Sequence, residues 1–247
     1  MFDWKSFLES LEKKTLGIIN ITDDSFSGDG VLNSNQQLEK KFELAIKNNV
    51  KLLDIGCMST KPGYKILKRN EEINRLNYFL KNKSKQFYYS IDTFNPLVAK
   101  RALDSGFLII NDVSGFVDEK MIELASQTKC GIIVMHRNPK STYLHEKMKY
   151  LNVLEEVNTH LIDQIEHLIK NGIEKKQIAI DPGLGFGKNI DDSIDLFLNL
   201  KNLINVYPLV VGYSKKKFIE QINMTESEMQ KHCIDSGVAL VRLHLDN

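Results

Sequence analysis

Short apolar runs recur along the chain, and a polar residue stands at or near the end of each one. In the first half these runs are LGIIN, KLLDIG, FYYSID and FLIIND; in the second half they are IIVMH, IAID, PLVVGYS and ALVRLH. Short runs that are apolar on both faces are typical of parallel strands covered by helices. The pattern therefore predicts eight parallel strands.

The segments between these runs have apolar residues at helical spacing. Two examples are NSNQQLEKKFELAIKNN, with apolar positions Leu38, Phe42, Ala45 and Ile46, and LEEVNTHLIDQIEHLIKNG. Eight strands that alternate with helices within 247 residues favour an α/β fold of the (β/α)8 TIM-barrel type over an open doubly wound sheet. Because no linker, repeat or low-complexity tract divides the chain, we expect residues 1–247 to form one barrel domain.

Composition and charge exclude several classes of protein. The chain is 42% hydrophobic and 26% charged, with a formal charge of +1, so we expect no general attraction to nucleic acid or to an anionic membrane. It contains no secretory signal pattern and no stretch of the roughly 18 to 20 apolar residues that span a bilayer. Three scattered cysteines without a CxxC pattern argue for reduced thiols, for a cytoplasmic protein and against a structural zinc site.

The polar residues at the strand ends form a candidate pocket. A single Asp or Asn after a strand more often caps the next helix, but a barrel brings the carboxyl ends of all its strands to one rim. In IAIDPGLGFGKN the glycines let the chain turn tightly, so that Asp181 can point into the mouth while Phe186 folds over it. Together with Asp92 and Asn111, Asp181 describes a pocket for a flat, nitrogen-rich ring with a guanidine-like edge.

A second cluster is basic. Ser214 and three lysines follow the seventh run, and Arg242 and His244 alternate along the eighth, so both should face the same side. Barrels often bind phosphate beside their last two strands, and Arg242 and His244 suit phosphate oxygens. We expect Lys217 to be a solvated residue at a helix start. Residues 20–30 and 57–64 are predicted lids over the mouth.

Eight motifs carry a resemblance to a known family. They are INITDDSFSGDG, DIGCMSTKPG, SIDT, IINDVSG, VMH, IDPGLGFGKN, GYSKKKFI and VRLH, and in this order, across residues 16–244, they resemble the motifs of dihydropteroate synthases. The resemblance implies a pterin-binding TIM-type barrel that joins 6-hydroxymethyl-7,8-dihydropterin diphosphate to p-aminobenzoate. Such an enzyme releases pyrophosphate, uses Mg2+ and makes 7,8-dihydropteroate for folate synthesis.

The same resemblance implies roles for individual residues. The pterin ring is expected to contact Asp92, Asn111, Asp181 and Lys216. The diphosphate is expected to contact Asn20, Thr60, Arg242 and His244, and Asn20 would also bind Mg2+. The aminobenzoate would be surrounded by Phe26, Pro62, Phe186, Ser214 and Lys215. The residues expected to act directly in catalysis are Asp92, Asp181, Lys216 and Arg242.

Several positions depart from the family pattern. Asp23 replaces a proline in the first lid, where Gly28-Asp29-Gly30 also replaces Asp-Gly-Gly, and Lys61 and Lys215 stand where arginine is common. Lysine keeps the charge of arginine but not its bidentate fork.

The end of the chain departs most, because the last outer helix is expected to be missing. The dimer that family members form through their last helices is therefore only a possibility here. MFDWKSFLESLEKK is a candidate to cover the apolar outer surface that a missing helix would leave on the first and last strands. Two alternatives remain open: a degenerate paralogue that binds a pterin or a protein partner without catalysis, and a pterin-dependent methyltransferase.

Overall fold

The computed structural model describes residues 1–22, 32, 34–58, 69–141 and 146–245. In these ranges eight parallel strands form one sheet in the order β6-β5-β4-β3-β2-β1-β8-β7. The strands are β1 Thr15–Asn20, β2 Leu52–Gly56, β3 Tyr88–Asp92, β4 Ile109–Asp112, β5 Gly131–Met135, β6 Ile178–Asp181, β7 Val210–Gly212 and β8 Leu240–His244. A bridge between Ile180 and Leu209 brings β6 and β7 together. The predicted barrel is therefore confirmed and is nearly closed.

Helices alternate with the strands. They are α1 Trp4–Glu9, α2 Asn35–Lys47, α3 Arg69–Asn82, α4 Pro96–Leu103, α5 Glu119–Thr128, α6 Val153–Lys170, α7 Ile190–Leu198 and α8 Glu226–Asp235. The two helical segments singled out from the sequence are α2 and α6. The side chains of Ser34 and Asn152, which directly precede these helices, cap their first turns. On α2, Leu38 and Ala45 are buried, whereas Ile46 is 47% exposed. None of the helices described is long and apolar enough to cross a membrane.

Helix α1 closes the amino-terminal end of the barrel. Trp4 is buried among apolar residues that lie near the starts of the strands, such as Leu16, Leu52 and Leu240. Its indole N–H donates to the carbonyl oxygen of Gln177 at 2.8 Å. The expectation that this segment covers the outer surface of the first and last strands was wrong. Its apolar side chains instead cover the open bottom of the barrel, where inward-facing aliphatic groups would otherwise meet water.

The outer side of β1 and β8 is covered in another way. Leu245, the last residue that the structure describes, comes directly after β8, so the missing outer helix stays a prediction. Leu245 itself packs over β1, where a Cβ on Gly17 would lie 3.1 Å from its side chain. Lys41 of α2 donates to the Leu245 carbonyl oxygen at 2.6 Å. Val241 and Leu243 on the outer face of β8 remain only half-buried.

Candidate active site

Three polar side chains end neighbouring or nearby strands at the same rim of the barrel. Asp92 is the last residue of β3, Asn111 is the second-to-last residue of β4, and Asp181 is the last residue of β6. The three residues are 6%, 4% and 7% exposed, respectively, although each carries a strongly polar group. Buried polar side chains of this kind need hydrogen-bond partners, so their contacts decide what the pocket can bind.

Arg242 connects the acids of this rim. Its Nε donates to Oδ2 of Asp54 at 2.6 Å, and its Nη2 donates to Oδ2 of Asp92 at 2.5 Å. The Nδ2 of Asn111 donates to the same Asp54 oxygen at 2.8 Å. Burial disfavours the charged guanidinium, but the two carboxylates overcome this and raise the pKa of Arg242 above its ordinary value. A network of one cation, two carboxylates and one amide thus spans β2, β3, β4 and β8.

Asp92 is the most strongly perturbed acid at the rim. Burial raises its pKa to about 7, while the Arg242 guanidinium acts in the opposite direction and the Asp54 carboxylate adds to the rise. Its Oδ1 is buried, and no described residue donates a hydrogen bond to it. This oxygen is therefore an available acceptor for a ligand N–H.

The loop after β6 holds Asp181. The N–H of Gly183 donates to Oδ1 of Asp181 at 2.7 Å, and Gly183, Gly185 and Gly187 all have φ values between 65° and 75°. A Cβ on Gly183 would lie 2.3 Å from the carbonyl oxygen of His136, so only glycine fits there. Burial raises the pKa of Asp181, and the positive charge of Lys216 opposes that rise.

Lys188 pins this glycine loop to the end of β5. Its buried Nζ donates to the carbonyl oxygens of Gly183 at 2.9 Å and Phe186 at 3.3 Å, and lies 2.9 Å from Nδ1 of His136. Burial lowers the pKa of Lys188 to about 7, although Asp181 favours its charged form. Burial and the nearby ammonium lower the pKa of His136, which suits a neutral ring that accepts at Nδ1.

Lys216 reaches from the loop after β7 to the same place. Its Nζ donates to the carbonyl oxygen of Leu184 at 2.5 Å and lies 5.0 Å from the ring centroid of Phe186. Burial lowers the pKa of Lys216 to about 8, and Asp181 acts against this shift. Lys217, by contrast, is exposed, as predicted. The structure thus separates the lysine of the site from the solvated one beside it.

The remaining polar residues lie around the same mouth. Nδ1 of His244 is 3.1 Å from Oγ of Ser214, and Lys215 is exposed with φ +59°. Asn20 ends β1 opposite Gly56, where a Cβ would stand 3.1 Å from Oδ1 of Asn20. The glycine therefore keeps open the space between β1 and β3.

Comparison with known proteins decides what kind of site this is. Residues 16–244 match the family model described as pterin binding enzyme. The chain belongs to this family. Its relatives include dihydropteroate synthases, which are transferases of folate synthesis. The enzyme of that name from Escherichia coli K12 is 32% identical over 232 residues, which cover 92% of this chain and 82% of the relative.

Solved dihydropteroate synthases share the fold. The Xanthomonas albilineans enzyme, solved with 4-aminobenzoic acid, has a TM-score of 0.81 at 27% identity, covering 94% of this chain and 88% of that one. The Burkholderia cenocepacia enzyme, complexed with 7,8-dihydropteroate, has a TM-score of 0.79 at 26% identity, covering 94% of this chain and 86% of that one.

The structure brings together the dihydropteroate synthase residues predicted on the strands. Arg242 acts electrostatically on Asp92, Asp181 and Lys216, and Asp181 also acts on Lys216, as expected if the four residues share one opening. Phe26, Thr60 and Pro62 lie outside the described residues, as do Lys61 and most of both predicted lids. The roles assigned to those residues therefore stay predictions.

Sequence reasoning missed two residues of the site, Asp54 and Lys188. A signal for Asp54 was available, since it is a carboxylate inside the apolar run KLLDIG and alternates with Leu52 on the inner face. Lys188 stands in the glycine-rich loop, but the sequence pattern there suggested only backbone turning. Arg242 was assigned to phosphate, and the structure pairs it with Asp54 and Asp92.

Proposed function

We propose that this chain condenses 6-hydroxymethyl-7,8-dihydropterin diphosphate with p-aminobenzoate and releases pyrophosphate and 7,8-dihydropteroate. The observation that carries the proposal is that buried acids on β3 and β6 share one barrel mouth with Lys216 and Arg242. Relatives that share its family and fold bear the name of this activity, and the complexes described above contain one substrate and the product.

The pterin ring would lie between the strand ends and the glycine loop. The Oδ1 of Asp92 and the carboxylate of Asp181 would accept from ring N–H groups, and Asn111 offers an acceptor and a donor. Lys216 would donate to the ring when it exchanges its present contact with the Leu184 carbonyl. Phe186, which lies under the ammonium of Lys216, would cover one face of the ring or the adjoining aminobenzoate.

The diphosphate would lie toward β1 and β8, with Asn20, Thr60, Arg242 and His244 as its ligands. Mg2+ prefers oxygen donors and commonly uses one or two protein groups beside phosphates and waters. Asn20 fits such a role, because it presents a neutral amide oxygen next to the gap at Gly56. Bound Mg2+ would neutralise charge on the departing diphosphate. No cluster of three or more His, Cys, Asp or Glu that could hold a metal occurs in the described residues.

The reaction needs no general base to activate the nucleophile. The bond between the methylene carbon and the diphosphate oxygen breaks, and its electron pair leaves with pyrophosphate. The lone pair of the aminobenzoate nitrogen then forms the new C–N bond, and the nitrogen loses a proton to solvent. Asp92 and Asp181 would stabilise positive charge on the pterin, while Arg242 and His244 stabilise the leaving group. Loss of one such charge partner should cost about 100-fold or more in rate.

The aminobenzoate would enter from the outer side of the mouth. Phe26, Pro62, Phe186, Ser214 and Lys215 are its proposed surroundings. In the described part of this subsite, Ser214 lies beside His244, and Lys215 is exposed at the rim where it can meet a carboxylate. We further propose that residues 1–247 act as one barrel domain in the cytoplasm, with homodimer formation as a possibility to be tested.

The direct test mixes purified protein with the pterin diphosphate, p-aminobenzoate and Mg2+ and measures pyrophosphate release. We expect release that depends on both organic substrates. Tight pterin binding without release would support the degenerate paralogue instead. Methyl transfer from a methylated pterin, without pyrophosphate release, would support the methyltransferase.

A pair of variants tests the position of the site. Asp181→Asn should abolish pterin binding, because a ring N–H would lose its charged acceptor. Lys217→Ala should leave it unchanged, since Lys217 is exposed next to the half-buried Lys216. Equal effects of the two variants would contradict the proposed site.

A further inference from the structure

We propose that Asp54 is a positioning residue of this site, which orients Asn111 and Arg242 at once through a single carboxylate oxygen. The inference rests on the proposed function and adds a residue that does not itself face the substrates. Asp54 lies in the middle of β2 and is fully buried. An ionisable side chain in such a place needs strong partners, because a buried charge is costly without them.

Both partners of Asp54 are residues of the pocket. Its Oδ2 accepts from Nδ2 of Asn111 at 2.8 Å and from Nε of Arg242 at 2.6 Å. The three residues are distant in sequence, since Asp54 is 57 positions from Asn111 and 188 positions from Arg242. One oxygen therefore joins strands β2, β4 and β8 at the level just below the rim.

The contact with Asn111 sets which way its amide faces. Because Nδ2 points at a carboxylate, the flipped amide would place its oxygen against that carboxylate and is unfavourable. Oδ1 of Asn111 is thus kept as an acceptor, which matches an N–H on the edge of a guanidine-like ring. Without Asp54 both orientations would be populated, and a ring N–H would meet an amide N–H in part of the molecules.

The contact with Arg242 sets the plane of its guanidinium. Arg242 is held at two points, by Asp54 through Nε and by Asp92 through Nη2. Two charge-assisted hydrogen bonds to a planar group fix its direction as well as its position. Loss of the Asp54 contact would leave Arg242 attached to Asp92 alone and free to rotate about that bond.

The test compares Asp54→Asn with Asp112→Asn. Asp112 is an equally buried carboxylate, but its side chain accepts from the backbone N–H groups of Ser114 and Phe116 and not from Asn111 or Arg242. Binding is measured with 6-hydroxymethylpterin, which lacks the diphosphate, and kcat is measured with the complete substrates.

We expect Asp54→Asn to raise the Kd for 6-hydroxymethylpterin about 10-fold or more and to lower kcat by a similar factor. In an Asn111→Ala background the same substitution should change this Kd less than about twofold, because the partner is gone.

Asp112→Asn should lower the Tm but leave the Kd within about twofold. The role toward Asn111 would be overturned by equal Kd values for wild type and Asp54→Asn. It would also be overturned if Asp54→Asn raised the Kd by the same factor in the wild type and in the Asn111→Ala background. An unchanged kcat would overturn the role toward Arg242.

A second variant serves if Asp54→Asn does not fold. The double variant Asp54→Asn/Asn111→Asp exchanges donor and acceptor across the same contact, so it should bind 6-hydroxymethylpterin about 10-fold more tightly than Asn111→Asp alone. No such rescue would refute the positioning role. A wild-type protein that binds no pterin would overturn the proposed function and this inference together. Wild type that binds pterin with no loss in Asp54→Asn overturns this inference only.

Discussion

At the scale of single residues, the barrel mouth holds acids and lysines whose pKa values are moved toward neutral pH. Burial raises the pKa of Asp92 to about 7 and lowers that of Lys216 to about 8. The opposite charges nearby counteract both shifts, since Arg242 faces Asp92 and Asp181 faces Lys216. Small changes of pH therefore change the charges that a ligand meets.

We predict a bell-shaped pH dependence of pterin binding. As the pH falls below about 7, Asp92 takes up a proton and loses its strength as an acceptor; as it rises above about 8, Lys216 loses its charge. Titration of 6-hydroxymethylpterin from about pH 5.5 to about pH 9.5 should show both limbs after correction for the ligand's own ionisation. Lys216→Arg should remove the alkaline limb. A flat profile in the wild type would contradict the prediction.

At the scale of elements, the loop after β6 is shaped by glycine and held by the buried side chain of Lys188. Gly183 combines a left-handed φ of +66° with a close approach to the His136 carbonyl, and Lys188 donates to two carbonyls of the same loop. Backbone conformation and a buried ammonium therefore place Asp181 and Phe186 together. The loop cannot relax at one end without moving the other.

Gly183→Ala tests this loop against Gly237→Ala. Both glycines have positive φ, but a Cβ at Gly237 meets no atom within 4 Å, whereas at Gly183 it would lie 2.3 Å from a backbone oxygen. Gly237→Ala should lower the free energy of unfolding by only about 1 to 2 kcal/mol. Gly183→Ala should lower it by more and should also weaken pterin binding about 10-fold or more, because Asp181 is displaced. Equal denaturation midpoints and pterin affinities would show that the loop adapts.

The element at the other end of the barrel is α1, and it should contribute stability without affecting the site. Trp4→Ala is expected to cost about 3 to 5 kcal/mol, because it empties a buried indole position beneath the strands. Lys5→Ala on the same helix is exposed and should change stability by about 0.5 kcal/mol or less. Denaturant unfolding measures both. Loss of pterin affinity in folded Trp4→Ala would contradict the separation of stability and function.

At the scale of the whole molecule, the barrel is closed weakly between β6 and β7, a junction that we call the seam. Seven pairs of strands form ladders, but β6 and β7 are joined by the Ile180–Leu209 bridge, with the N–H of Ile180 donating to the Pro208 carbonyl at 3.0 Å. The Lys216 contact with Leu184 crosses above this seam. A ligand held by Asp181 and Lys216 would therefore tie the two sides together.

We predict that pterin binding slows amide hydrogen exchange at this seam. At a ligand concentration about 100 times its Kd, openings that destroy the site should become up to about 100-fold rarer. Mass spectrometry should show the slowing in peptides that cover residues 178–187 and 209–216. Peptides of α1, which lies at the opposite end, should be unchanged by ligand. Uniform protection of the whole barrel would argue against a local seam.

The sequence by itself determined the order of elements and the position of the rim. Apolar runs predict the strands, because a parallel strand covered by helices is buried on both faces. Apolar residues three to four positions apart predict the helices, because each helix buries one face against the sheet. Polar residues such as Asn20, Asp92 and Asp181 could be placed at the mouth because parallel strands all present their carboxyl ends to the same side. The ordered motifs then led to the dihydropteroate synthase family without any coordinates.

Only the tertiary structure decided which of these side chains touch. Alternation along β8 predicts that Arg242 points inward, but strand register and side-chain reach decide that it meets Asp54 and Asp92. The position of α1 could not be predicted either, because a short apolar stripe fits the outer surface of β1 as well as the bottom of the barrel. Contacts between residues far apart in the chain depend on how the sheet closes, and no local pattern carries that information.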